Sequence, residues 1–124
     1  MKQLPLSKEH FARHQRNLKL LQEVVAQINK DFQLNGPVVG FSGRDETAYT
    51  ELTGQIRPIV EHLLEKQPDR FWNLLYSIDL NENQVKEALS DSGPDGIGQL
   101  TDLILKRELQ KVVIRYHYSG KQLP

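Results

Sequence analysis

A chain of 124 residues with no cysteine has room for one domain, and it excludes disulfides, thiolate nucleophiles and thiolate-bound metals. Hydrophobic residues at 38% and charged residues at 26% are ordinary for a globular protein and argue against wholesale disorder. Sixteen basic and sixteen acidic side chains cancel overall but are unevenly spread: seven against three in residues 1–44 (+4), four against twelve in 45–103 (−8), five against one in 104–124 (+4).

The opening Met1-Lys2-Gln3-Leu4-Pro5 runs into charged residues without an apolar block, and no stretch reaches the roughly 18 apolar residues of a membrane span. A cytoplasmic location and no membrane contact are therefore expected. From Ser7 to Asp31, Phe11, His14, Leu18, Leu21, Val25, Ile28 and Phe32 recur at spacings of three and four, widened by Leu20 and Val24. This predicts one amphipathic helix with Ser7 as its cap.

Three glycines and a proline between residues 33 and 44 predict a loop, in which Val38, Val39 and Phe41 could form a short extended stretch. Asp45 is positioned to cap a second helix reaching about Lys66, with Gly54 and Pro58 expected to kink or divide it. Pro68 suits the first turn of a third helix that buries Phe71, Leu74, Leu75 and Ile78. Trp72 and Tyr76 on the same helix read as core, or otherwise as a patch for a partner. Asn81 with Gln84 has the spacing of a capping box for a short fourth helix, carrying Val85, Ala88 and Leu89 inward. After a glycine-rich turn at 92–96, a last helix begins near Ile97. Its end, Val112 to Tyr118, has strand-forming residue types. With no partner strand in the sequence, the prediction is that the helix continues.

An all-α, single-domain bundle of four to six helices over residues 1–124, with a Gly/Pro-rich loop near 33–44, follows from these pieces. The segment Asp69-Arg70-Phe71-Trp72-Asn73-Leu74-Leu75-Tyr76-Ser77-Ile78-Asp79, with Leu103 to Lys111, resembles a group of small bacterial helical proteins. That resemblance implies a helical fold; the group has no assigned activity, so it implies no site residues.

Four constellations bear on chemistry. Asp91, Asp95, Gly96 and Asp102 fall at positions one, five, six and twelve of a calcium loop. Gly93 supplies no oxygen at position three, however, and turn geometry explains the same residues more simply. His10 and His14, four apart with Glu9 nearby, have metal-compatible spacing but overlap the apolar stripe; His62 sits among Glu61 and Glu65 on an acidic helix. The glycines of 36–43 lack the lysine and the preceding strand of a phosphate loop. Neither Ser42 nor Ser119 shows a base in its sequence context. Lastly, Arg107, Lys111, Arg115, Tyr116 and Tyr118, with Lys106 and Lys121, mix cations and aromatics at the chain's end. That mixture suits an acidic partner, stacked bases or an ordinary solvated helix face.

With no catalytic constellation and no cofactor motif, the expected function is a non-enzymatic protein-binding or assembly module, acting on a protein partner or as a homodimer. A small regulatory nucleic-acid binder using the basic end segments is the alternative, and a metal-binding protein or enzyme a weaker one.

Overall fold

A computed structural model of the protein describes residues 8–33, 39–90 and 95–124. It is all-α. Among the described residues there are six helices and no strand: α1 (Lys8–His14), α2 (Leu18–Asp31), α3 (Asp45–Lys66), α4 (Pro68–Ser77), α5 (Glu82–Ser90) and α6 (Gly96–Ser119). No helix among the described residues is long and apolar enough to cross a membrane. Two compact units are distinguished: residues up to Leu52 with Glu108–Pro124, and Thr53–Arg107. The long helices α3 and α6 supply residues to both.

In the first unit, the expected single helix from Ser7 to Asp31 is corrected to two. Ser7 lies outside the described residues. The chain turns at Gln15 and Arg16 and restarts at Asn17, whose extended backbone (φ −102°, ψ 94°) places its side chain as the N-cap of α2. Asn17 Oδ1 accepts from the Leu20 amide at 3.1 Å, and Asp45 Oδ1 accepts from the Leu18 amide, also at 3.1 Å. Two of the four amides that a helix start leaves unpaired are thereby satisfied. The cap expected of Asp45 is thus also corrected: Asp45 opens α3 but bonds the start of α2. Beyond the break, Leu20, Leu21, Val24, Val25, Ile28 and Phe32 are buried with Ala48, Leu52, Leu109, Val112 and Val113.

Val39 and Phe41 are half-buried without strand structure, while Val38 lies outside the described residues. Glu51 holds this segment to α3. It accepts from the Ser42 amide (2.6 Å), the Ser42 hydroxyl (2.9 Å) and the Thr47 hydroxyl (2.6 Å). Bonds from Thr47 and from Ser42 hold the Glu51 carboxyl below its ordinary value.

In α3 the buried positions Ala48, Leu52, Ile56 and Val60 repeat every fourth residue. Gly54 and Pro58 fall on the exposed side of a helix that is continuous through both. The second unit's core comprises Ile56, Val60, Leu63, Phe71, Leu74, Leu75, Ile78, Leu80, Val85, Leu100, Ile104 and Leu105. Trp72 is half-buried, and Tyr76, read as core from sequence, is 62% exposed.

α4 ends in a Schellman turn. The Leu80 amide donates to Leu75 O (2.9 Å) and the Asp79 amide to Tyr76 O (3.1 Å), with Asp79 at φ 67° where glycine is usual. The capping box of α5 forms as expected: the Gln84 amide donates to Asn81 Oδ1 (2.9 Å), and the Asn81 amide donates to Gln84 Oε1 (3.3 Å).

α6 is helical through Val112–Tyr118, as expected. Near its start, a Cβ on Gly96 would come within 2.9 Å of Leu89 O, so the close approach of α5 requires glycine there.

Candidate functional site

Within the first unit, α2 presents Glu23, Gln27 and Asp31, each four residues apart and therefore on one face. α6 presents Glu108, Lys111, Arg115 and Tyr116 at similar spacing. The two sets pair in opposite chain order, making a polar seam. Lys111 Nζ donates to Asp31 Oδ2 at 2.8 Å, Arg115 Nη1 donates to Gln27 Oε1 at 2.8 Å, and the Tyr116 hydroxyl donates to Glu23. Gln27 Nε2 also donates to both Asp31 oxygens at 3.0 Å, so Arg115, Gln27, Asp31 and Lys111 form one chain of bonds.

The seam deepens toward Asp31. Its side chain is 11% exposed and that of Lys111 is 25% exposed, while Glu108 is fully buried. Lys111 Nζ lies 4.0 Å from Glu108 Oε1. Burial pushes the Asp31 carboxyl upward. The bonds from Lys111 and Gln27, together with the Lys111 charge, outweigh burial and hold the group below its ordinary value. At the other end, the bond to Glu23 raises the Tyr116 phenol above its usual range, with burial and the Glu23 charge adding to the effect. Tyr116 is therefore a neutral donor.

Past Tyr116 the seam opens into a pocket of about 140 Å³ lined by Glu23, Arg115, Tyr116, Ser119 and Lys121. The Ser119 hydroxyl donates to Tyr116 O at 3.0 Å, and the Lys121 amide donates to Ser119 Oγ at 3.4 Å, fixing the chain as it leaves α6. Tyr118, beside the pocket residues in sequence, is 76% exposed, and its ring meets His117 edge-on at 5.3 Å. Two cations, two hydroxyls and one carboxylate can hold a small acidic group.

The five residues singled out at the chain's end are thus used differently. Lys111, Arg115 and Tyr116 are brought together with α2, while Tyr118 projects outward. Arg107 belongs to the second unit, where its Nε donates to Ile78 O at 2.8 Å and its Nη2 lies 3.6 Å from Asp79, holding the Schellman turn of α4. Sequence reasoning missed Asp31, Gln27 and Glu23 as partners, and it missed Glu108 altogether. The available signal was spacing: Glu108 lies four residues after Ile104 and four before Val112, on the apolar stripe rather than beside it.

The calcium-loop residues are occupied otherwise. Arg57 Nη2 pairs with Asp95 Oδ1 at 2.9 Å, Lys106 Nζ pairs with Asp102 Oδ2 at 2.9 Å, and Asp91 lies outside the described residues. The His10 and His14 rings stack on one another at 6.3 Å. Among the described residues no three His, Cys, Asp or Glu side chains are grouped to hold a metal ion. In comparisons with known proteins, no family model, no curated protein and no solved structure matches the chain.

Proposed function

We propose that the protein is a non-enzymatic protein-binding module of the cytoplasm, and that its contact surface is the C-terminal end of α6. The observation carrying this reading is a division of labour among the basic and aromatic residues there. Lys106, Arg107 and Lys111 have acidic or backbone-carbonyl partners within the chain, whereas Tyr118 and the pocket-lining Arg115 and Lys121 stay exposed, Arg115 bonded only to the neutral Gln27 amide among the recorded hydrogen bonds. An exposed tyrosine flanked by cations is the composition of an interface anchor for an acidic protein segment. The commitment of three of the five cations in residues 104–124 weighs against the nucleic-acid reading, which needs a continuous basic face.

The reading is tested by capture from native lysate, with and without nuclease, comparing the wild-type chain with R115E/Y118A. A partner that resists nuclease and is lost from the double variant is the expected result. A nuclease-sensitive set, or capture unchanged by the substitutions, would overturn it.

A further inference from the structure

The pocket of about 140 Å³ at the open end of the seam is built from three segments of the first unit. Glu23 comes from α2, Arg115, Tyr116 and Ser119 from α6, and Lys121 from the tail beyond it. Gly120 turns the chain at the end of α6 through a left-handed backbone (φ 73°), as a residue just past a helix commonly does. Beyond Lys121 the tail is held again, where Asn17 Nδ2 donates to Pro124 O at 2.8 Å.

The polar atoms of the pocket are unevenly committed. Both hydroxyls are used within the chain, Tyr116 donating to Glu23 Oε2 and Ser119 to Tyr116 O (3.0 Å). Arg115 uses Nη1 on Gln27 Oε1, which leaves Nε and Nη2. Among the described residues, neither the Lys121 ammonium nor Glu23 Oε1 has a hydrogen-bond partner. The pocket therefore presents two cationic donors and one anionic acceptor. A bare oxyanion would satisfy the cations but set its oxygens against Glu23. The end of α6, which carries partial negative charge, opposes it too. An occupant that satisfies all three groups pairs an acid with an N–H donor.

We infer, resting on the reading of the end of α6 as a protein-contact surface, that this pocket takes one acidic residue of the partner. Its side-chain carboxylate binds Arg115 and Lys121, and an adjoining backbone N–H donates to Glu23 Oε1. Aspartate carries both groups within a few atoms of each other, since its short side chain reaches its neighbouring backbone amides. Charge-assisted bonds on both sides make the recognition selective. Asparagine keeps the N–H and lacks the charge, whereas phosphate or a simple carboxylic acid has the charge and no N–H. Glu23 is thus a specificity group of the site.

The test is a backbone-amide NMR titration of the full chain at low ionic strength with N-acetyl-aspartate N-methylamide. Its asparagine counterpart, propionate and inorganic phosphate are titrated separately. The expected result is saturable shifts at Tyr116, Ser119 and Lys121 with the aspartate probe, none with the asparagine probe, and about tenfold weaker binding of propionate and phosphate. Lys121→Gln, which removes no bond that holds the fold, should weaken the aspartate probe about fivefold or more. Glu23→Gln keeps an acceptor for Tyr116 and should also weaken it; tighter binding would show that Glu23 only repels and would overturn the inference. Propionate or phosphate binding as tightly as the aspartate probe, or no saturable shift, would overturn it as well. The probe is a single capped residue, so the titration needs no partner. Its failure beside a captured partner strikes the pocket alone, and its success beside failed capture strikes the protein-contact reading.

Discussion

Lys111 and Asp31, eighty positions apart, meet at 2.8 Å and fix the register between α2 and α6. Since both are largely buried, the pair differs from a surface ion pair, whose worth is small. Lys111→Met keeps the apolar stem but leaves Asp31 beside Glu108 without its cation. Urea denaturation is expected to show a loss of about 1–3 kcal/mol. A loss indistinguishable from zero would mean that the pair is solvated.

The acid side of the stability profile should report Asp31. Because its carboxyl is held below the ordinary value, its contribution is present above that value and lost as pH falls through the lowered one. Asp31→Asn should flatten melting temperature against pH below about 4, where an unperturbed aspartate takes up its proton. An unchanged acid limb would show that other carboxylates dominate it.

Asn17 joins three parts of the chain: its backbone amide donates to His14 O at the end of α1 (3.1 Å), it caps α2 through Leu20, and its Nδ2 donates to Pro124 O at 2.8 Å. Asn17→Ala should cost about 1 kcal/mol, the usual worth of an N-cap. Amide exchange should quicken in the first turn of α2, and a uniform change across all helices would contradict this assignment.

Three backbone substitutions have opposite expected signs. Gly96→Ala drives a methyl to 2.9 Å from Leu89 O and 3.2 Å from Leu89 Cα, backbone atoms that cannot swing away, and should destabilise by about 1–3 kcal/mol. Gly54→Ala meets nothing within 4 Å in a helix interior and should stabilise by about 0.5–1 kcal/mol. Asp79→Gly removes a side chain from the left-handed region and should also stabilise, by roughly 0.5–1 kcal/mol. Thermal melts of the three variants check these signs.

Features fixed by neighbours in sequence were legible. Pro68 at the start of α4, the Asn81–Gln84 box and the apolar spacing of α2 depend on residues three or four apart, which a linear reading can see. The Val112–Tyr118 stretch required packing to decide. Val112 and Val113 are buried on the stripe continued from Leu105 and Leu109, and that burial overrides their strand preference. The break before α2 was hidden because its supports, Asp45 and Pro124, come from distant parts of the chain. Glu108 was masked by Lys106 and Arg107 before it and Lys111 after it, a run that looks like a solvated face. Of the candidate site, the basic and aromatic residues on α6 could be read, but not their partners on α2.

The most direct test of the binding surface is a photo-cross-linking amino acid placed at Tyr118, with the same group at exposed Glu65 as control, irradiated in living cells. A discrete protein adduct at position 118 that is absent at position 65 is the predicted result. Adducts that are equal at the two positions, or missing from both, would contradict a contact surface at the end of α6.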